Sequence, residues 1–248
     1  MLFSRILQAL DAATETFFEP DQQAQLRDIL CRGGSGDTLT KVLIGRVLPK
    51  DSVLTDFDKH IVIYRDPRDQ FISMLLYLFY DFQLSGDQAG YDECFAALQR
   101  KQQNPSDFSA IELYNQVASC VGRAPVAVFN KLHRVQKDYI AAFAPFEVRY
   151  EELLDGQWGE LEAHLQLTLK QDAPVPVEYS RVVRSKGYGD WRNWLNADDT
   201  SYIDKHWGES IRALGYAEGE AEQNQRIARE TTLDYVSQFD PRRHPAAQ

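Results

Sequence analysis

Cysteine is scarce in this 248-residue sequence, which contains only Cys31, Cys94 and Cys120. Their spacing fits neither a metal site nor a redox pair, and a sparse, odd set of cysteines is typical of a reducing compartment. The five histidines also lack the spacing of metal ligands. We therefore predict a cytoplasmic protein without a metal site, in which the three cysteines are buried free thiols.

Positive charge and long apolar runs are also in short supply. The 27 lysines and arginines are outnumbered by 37 acidic residues, and the formal net charge of −10 argues against nucleic acid as a partner. No run approaches the roughly 18 apolar residues of a membrane-spanning helix. The N-terminal stretch contains Arg5 and no small-residue cleavage site, so it does not match a signal peptide. We predict no membrane partner, and any anionic ligand would require a local cluster of basic residues.

What the sequence does contain is an alternation of strand and helix patterns. Short β-branched runs, typical of buried parallel strands, occur in TLTKVLIG, KHIVIY and FEVRY. Apolar residues recur at helical spacing over residues 2–10, about 108–121 and about 126–143. This alternation predicts an α/β fold, with a parallel sheet flanked by helices on both faces. We assign residues 1–217 to this domain and residues 218–248 to a polar helix or tail.

A candidate anion site lies in the segment IVIYRDPRDQFIS. Arg65 comes at the carboxyl end of a predicted strand, and Asp66 and Pro67 are suited to begin a helix directly after it. Asp69 stands where a capping-box acid belongs, and Ser73 lies on the same helix face as Asp66. Arg65 and Ser73 would together form a phosphate pocket at the helix start. The alternative is a capping network in which Arg65 pairs with an acid and Ser73 is a surface residue.

A second candidate is the basic, glycine-containing segment between Ser180 and Asn193. In an acidic protein, its cations concentrate anion-binding groups, and its glycines allow close approach of the backbone to a phosphate. The tryptophan could pack the loop down or flank a base. A solvated loop is the alternative. The residues concerned are Arg181, Arg184, Lys186, Gly187, Gly189, Trp191 and Arg192.

Three segments resemble those of sulfotransferases that use 3′-phosphoadenosine-5′-phosphosulfate (PAPS). IVIYRDPRDQFIS resembles the family's strand–turn–helix that holds the 3′-phosphate, where the matching residues are Arg65 and Ser73. VRYEELL is similar to a strand end whose tyrosine, here Tyr150, lies near the nucleotide. RSKGYGDWRN resembles the C-terminal segment that closes over the 3′-phosphate. Its phosphate contacts would come from Arg184, Ser185, Lys186 and Gly187, and which of the first three touches the phosphate stays open.

The resemblance covers residues 41–216 and implies a P-loop NTPase-like sulfotransferase fold. It further implies transfer of a sulfuryl group from PAPS, without a metal, to a hydroxyl or amine of a small-molecule or carbohydrate acceptor. Some members use a histidine as base and others a glutamate. His60 begins its strand roughly 16 Å from the functional end, at about 3.3 Å per residue, which makes it a poor candidate.

By the same resemblance, Glu19 matches the glutamate base and Lys41 a lysine near the reaction centre. Glu15 is the second candidate for the base. The alternatives are an exposed loop carboxylate for Glu19 and a structural salt bridge for Lys41.

The family's loop that binds the 5′-phosphosulfate, of the type Pro-Lys/Arg-Ser-Gly-Thr-Thr, has no match. GGSGDT (Gly33 to Thr38) lacks the basic residue and leads into a strand-like run. We therefore expect a sequence truncated at its N-terminus, lacking the first strand and loop. Two other classes stay open: a non-catalytic nucleotide-binding or scaffold protein descended from a sulfotransferase, and a nucleotide kinase, disfavoured because no Walker-type loop exists. The acceptor and the oligomeric state cannot be read from the sequence.

Overall fold

The computed structural model describes residues 2–10, 14–20, 23–31, 37–44, 52–170, 185, 187–217, 219 and 225–244. In these residues the protein has mixed α/β structure with small parallel sheets and flanking helices. The helices and strands, in chain order, are α1 (Leu2–Ala9), β1 (Glu15–Phe18), α2 (Gln23–Cys31), β2 (Thr38–Lys41), β3 (Ile61–Tyr64), α3 (Pro67–Tyr77), α4 (Tyr80–Ser85), α5 (Gln88–Gln103), α6 (Ala110–Cys120), α7 (Val128–Phe143), β4 (Phe146–Arg149), α8 (Tyr150–Leu154), α9 (Gly159–Leu165), α10 (Trp191–Trp194), α11 (Ala197–Ala213) and α12 (Leu233–Ser237).

The chain divides into two compact units, each made of two segments. Unit 1 contains Met1–Tyr64 and Lys131–Ser180, and unit 2 contains Arg65–Asn130 and Arg181–Gln248. The domain prediction, residues 1–217 followed by a polar helix or tail at 218–248, stays a prediction. None of the helices in the described ranges has both the length and the apolar character needed to cross a membrane.

Unit 1 contains all the described strands, and they form two separate parallel pairs. β1 pairs with β2, with Phe18 opposite Lys41, and β3 pairs with β4, with Tyr64 opposite Arg149. The predicted strands in TLTKVLIG, KHIVIY and FEVRY correspond to β2, β3 and β4. β1 was not predicted, because its sequence ETFF has neither the β-branched run of IVIY nor the apolar–polar alternation of FEVRY.

Apolar residues of α1 anchor the core of unit 1. Leu2 and Ile6, spaced one helical turn apart, are buried against Val148 of β4 and Leu161 of α9. The guanidinium of Arg5 lies 3.6 Å from the centre of the Trp158 ring, so its charge is covered by an aromatic face. A smaller cluster surrounds Leu26 and Leu54, with the half-buried aromatic residues Phe17, Phe57, Tyr139 and Phe143.

Unit 2 is helical, and its core is rich in aromatic residues. Phe71 of α3 packs edge-on against Trp207 of α11, with ring centres 5.6 Å apart. Residues 225–244, part of the segment 218–248 predicted as a polar helix or tail, include α12 and contribute Ile227, Val236 and Phe239 to this core. Among the described residues of unit 2, the fully buried aromatic side chains are Phe71, Phe79, Phe82, Tyr91, Phe129, Trp191, Trp194, Trp207 and Phe239.

A buried lysine ties the end of α5 to the start of α6. Lys101 is fully buried, and its ammonium donates hydrogen bonds to the carbonyl oxygens of Pro105 (2.6 Å) and Phe108. The Asp199 carboxylate lies 4.0 Å away. Burial lowers the pKa of Lys101 to about 8, and the charge of Asp199 opposes that shift.

The cysteines differ in exposure. Cys94 is a buried free thiol, as predicted, and burial raises its pKa. Cys120 is also a free thiol but is exposed, so its predicted burial is wrong: it is the last residue of α6, where the helix meets solvent. The side chain of Cys31 lies outside the described residues.

Candidate functional site

The start of α3 is organised by Asp66, as its position in the sequence predicted. The Asp66 carboxylate accepts a hydrogen bond from the backbone N–H of Arg68 (2.9 Å), and Pro67 occupies the first helical position. The Arg68 guanidinium binds the same carboxylate through two bonds of 2.9 and 2.7 Å. Both side chains are buried, so this pair holds the helix start rigidly.

Asp69 does not complete a capping box, contrary to the prediction. Its carboxylate accepts hydrogen bonds from the backbone N–H groups of Gly189 (2.5 Å) and Trp191 (3.1 Å). The side chain is 1% exposed, and burial raises the pKa of Asp69, while the Arg65 guanidinium and the two N–H donors lower it. The capping pattern failed here because the buried Asp69 carboxylate accepts N–H groups that only the tertiary fold brings near it. These N–H groups belong to residues 120 or more positions later in the sequence.

Arg65 lies against the glycine-containing loop. Its Nη2 donates a hydrogen bond to the carbonyl oxygen of Gly187 (3.1 Å) and lies 4.0 Å from Asp69 Oδ2. The structure therefore contains parts of both sequence-based interpretations, since Arg65 adjoins the basic loop and also adjoins an acid. The side chain is 16% exposed, so the guanidinium sits largely within the protein.

Trp191 packs the loop onto α3, which is one of its two predicted roles. The ring is 1% exposed, and the Arg68 guanidinium lies 3.9 Å from its centre. Arg68 also donates a hydrogen bond to the carbonyl oxygen of Ala217 (3.0 Å). A Cβ at Gly219 would come within 2.9 Å of the Trp191 ring, so only glycine fits there without a shift. A ring enclosed in this way has no open face for a base.

The remaining predicted phosphate ligands are partly described. Ser185 and Gly187 are half-buried, while Arg184 and Lys186 lie outside the described residues. Ser73, on the second turn of α3, is half-buried, and its hydroxyl finds no hydrogen-bond partner among the residues that the structure describes. Gly189 has a φ of +80°, the left-handed region that favours glycine, and this turn directs its N–H to Asp69.

Glu19 and Lys41, the predicted catalytic residues, form an ion pair in unit 1. Lys41 ends β2, and Glu19 directly follows β1, so both lie at the carboxyl end of the same parallel pair. The Glu19 N–H donates to the Lys41 carbonyl oxygen (2.7 Å), and the ammonium lies 4.2 Å from the centre of the Phe18 ring. Glu19 has a φ of 53°, which is unusual for a residue other than glycine.

The other candidates of unit 1 are Glu15, His60 and Tyr150. Glu15, the second candidate for the base, is exposed at the opposite end of β1. His60 Nδ1 lies 2.7 Å from the Tyr139 hydroxyl, and its ring stacks on Phe143; burial lowers its pKa. Tyr150 begins α8 directly after β4 and is half-buried.

The sequence analysis missed the links that Asp69 and Arg68 make to the loop. For Asp69, the four-residue spacing from Arg65 could have indicated their ion pair, but nothing local indicated its bonds to Gly189 and Trp191. For Arg68 no local pattern indicated stacking on a tryptophan 123 positions later.

Neither metal ligands nor relatives add to this description. The described part of the chain holds no group of three or more side chains suited to a metal ion. Comparisons of the chain with protein-family models, with curated proteins and with solved structures gave no match. The resemblance to sulfotransferases therefore rests on the three sequence segments alone.

Proposed function

We propose that this chain is a cytoplasmic sulfotransferase with a P-loop NTPase-like sulfotransferase fold. It transfers a sulfuryl group from PAPS to a hydroxyl or amine of a small-molecule or carbohydrate acceptor. The observation that carries the proposal is the 3.1 Å hydrogen bond from Arg65 to the carbonyl oxygen of Gly187. It joins two of the segments that resemble the family's 3′-phosphate site, although they are 122 residues apart.

The surroundings of Arg65 suit a 3′-phosphate. A largely buried guanidinium lies at the start of an 11-residue helix, where the helix dipole favours negative charge. Ser73 lies two turns into that helix, on the face of Asp66, and its hydroxyl is available to a ligand. A phosphate at this corner would accept a charge-assisted hydrogen bond from Arg65 and a second bond from Ser73.

Further nucleotide contacts follow from the resemblance. Ser185 and Gly187 belong to the loop that Arg65 contacts, and Arg184 and Lys186 are assigned to the phosphate by the resemblance alone. Tyr150 is assigned to the nucleotide on the same basis.

Glu19 and Lys41 are the proposed catalytic pair. The Glu19 carboxylate takes the proton of the acceptor hydroxyl or amine as the new bond from oxygen or nitrogen to sulfur forms. The bond between sulfur and the bridging oxygen breaks, and adenosine 3′,5′-bisphosphate leaves with the electron pair. The Lys41 ammonium is assigned to stabilise the charge that develops on the leaving oxygen. Their place at the carboxyl ends of adjacent parallel strands supports this, because open α/β sheets bind ligands at that edge.

Calorimetric titration with adenosine 3′,5′-bisphosphate and with adenosine 5′-monophosphate tests the phosphate site. Arg65→Ala should weaken binding of the bisphosphate by about 1.5–3 kcal/mol, roughly ten- to 150-fold, because a charge-assisted hydrogen bond is lost. Affinity for the monophosphate should barely change. Arg229→Ala is the matched control, since it removes the same charge in unit 2 from an exposed side chain paired with Asp234.

The outcomes separate the competing functions. Equal losses for both nucleotides in Arg65→Ala would refute the 3′-phosphate assignment. Binding of the bisphosphate by a protein that carries the family's 5′-phosphosulfate loop as well, but transfers no sulfuryl group, would favour a non-catalytic nucleotide-binding or scaffold protein descended from a sulfotransferase. A wild-type chain that binds neither nucleotide would contradict both.

A further inference from the structure

Asp69 is the most enclosed charged group around the proposed phosphate site. Its side chain is 1% exposed, yet it lies beside Arg65 and accepts the backbone N–H groups of Gly189 and Trp191. A buried carboxylate is tolerated only where donors compensate for its lost hydration. Here both donors are backbone N–H groups of the segment that follows Gly187, and the Arg65 guanidinium, directly before α3, lies 4.0 Å from the carboxylate.

Asp69 is not needed to begin its own helix. Asp66 already caps α3 through the Arg68 N–H. Both oxygens of Asp69 instead face the loop, one toward Gly189 and one toward Trp191. Its bonds therefore fix the loop relative to α3, within unit 2.

The Asp69 carboxylate also orients the Arg65 guanidinium. Nη2 of Arg65 lies 4.0 Å from Asp69 Oδ2, the oxygen that accepts the Gly189 N–H, and the same nitrogen donates to the Gly187 carbonyl oxygen. The Arg65 guanidinium, the Asp69 carboxylate and the backbone of residues 187–189 thus lie next to one another. Displacing the carboxylate would release the loop and leave Arg65 with a weaker constraint on its direction.

We propose that Asp69 is a positioning residue of the phosphate site: it holds residues 187–191 against α3 and keeps Arg65 aimed at the 3′-phosphate. This inference rests on the proposed function for its ligand. Asp69 itself touches no nucleotide, because a carboxylate would repel the phosphate. It acts through Arg65 and through the loop.

Two measurements on Asp69→Asn test the inference. Hydrogen exchange followed by NMR should show the amide of Gly189 or Trp191 exchanging about tenfold faster or more, since a neutral amide group cannot accept both N–H groups as well as the carboxylate does. Affinity for adenosine 3′,5′-bisphosphate should fall about tenfold, while affinity for adenosine 5′-monophosphate should stay within about twofold. Asp69→Glu keeps the charge but moves the carboxylate by one methylene, and should produce both changes to a smaller extent.

Asp199→Asn is the matched control. Asp199 is also 1% exposed and accepts backbone N–H groups, but these belong to Ala110 (2.8 Å) and Ile111 (3.1 Å) at the start of α6 and to Asn196 (3.2 Å) at the start of α11. Asp199→Asn should also lose stability, because it too replaces a buried carboxylate that accepts backbone N–H groups with a neutral amide. It should leave the exchange of Gly189 and Trp191 and the affinity for the bisphosphate unaltered.

The results distinguish this inference from the function on which it rests. If the wild type binds the bisphosphate and Asp69→Asn binds it equally well, the positioning role is wrong and the proposed function stands. If the wild type binds no bisphosphate, the proposed function fails, and unchanged exchange at Gly189 and Trp191 would overturn the anchoring role as well. If Asp69→Asn gives no spectrum of a folded protein, the same criteria apply to Asp69→Glu.

Discussion

The left-handed backbone at Glu19 leads to a prediction about stability. Glu19 has a φ of 53°, where a Cβ crowds the neighbouring carbonyl oxygen and glycine has no such penalty. We therefore compare Glu19→Ala with Glu19→Gly. Both variants remove the ion pair with Lys41, so the difference between them reports the backbone alone.

The expected magnitude follows from two opposing effects. The left-handed conformation costs a residue with a Cβ about 1–3 kcal/mol. Glycine loses about 0.5–1 kcal/mol through its greater freedom in the unfolded chain. Glu19→Gly should therefore be more stable than Glu19→Ala, by up to about 2.5 kcal/mol. The ion pair itself contributes little, about 0–1 kcal/mol, because its side chains are 37% and 26% exposed.

Urea unfolding of the two variants at Glu19 and of the same pair at Glu15 provides the measurement. Glu15 is an exposed residue of the same strand without a positive φ, so there the alanine variant should be the more stable by about 0.5–1 kcal/mol. The sign of the difference should thus invert between positions 15 and 19. If alanine is as stable as glycine at position 19, the backbone there is unstrained. Backbone strain at Glu19 would then no longer support its proposed role as the catalytic base.

Two further predictions concern turnover and pH. In a protein that carries the family's 5′-phosphosulfate loop ahead of these residues, Glu19→Gln should lower turnover of PAPS about a hundredfold or more and leave binding of adenosine 3′,5′-bisphosphate nearly intact, because the amide cannot take the acceptor's proton. Activity that survives Glu19→Gln but is lost in Glu15→Gln would assign the base to Glu15. For Lys101, whose pKa falls from 10.5 to about 8 on folding, the unfolded chain binds more protons between these pH values, so stability rises with pH across that window. The free energy of unfolding of the wild type should gain about 2 kcal/mol relative to Lys101→Met between about pH 7.5 and 9.5, in urea titrations at each pH. An unchanged difference would show that the carbonyl oxygens of Pro105 and Phe108 keep the ammonium charged.

Features that depend on neighbouring residues could be predicted from the sequence. The start of α3 could be predicted because Asp66 caps an N–H only two residues away and Pro67 needs no hydrogen-bond partner at the first helical position. The strands β2, β3 and β4 could be predicted because β-branched residues favour extended backbone within a short run. The candidates Arg65, Glu19 and Lys41 could be named by resemblance, but none of their contacts could.

Only the tertiary structure decided which groups meet. Asp69 carried a local signal for a capping box, yet its partners are backbone amides 120 and 122 residues away. Glu19 and Lys41 meet because β1 and β2 pair in parallel, and the sequence did not reveal β1 as a strand. The polar composition of residues 218–248 did not reveal that Val236 and Phe239 belong to the core of unit 2. The physical reason is common to these cases. Propensities and caps act within one or two turns of chain, whereas a buried charge or an apolar side chain takes its partners from whatever the folded chain places within a few ångströms.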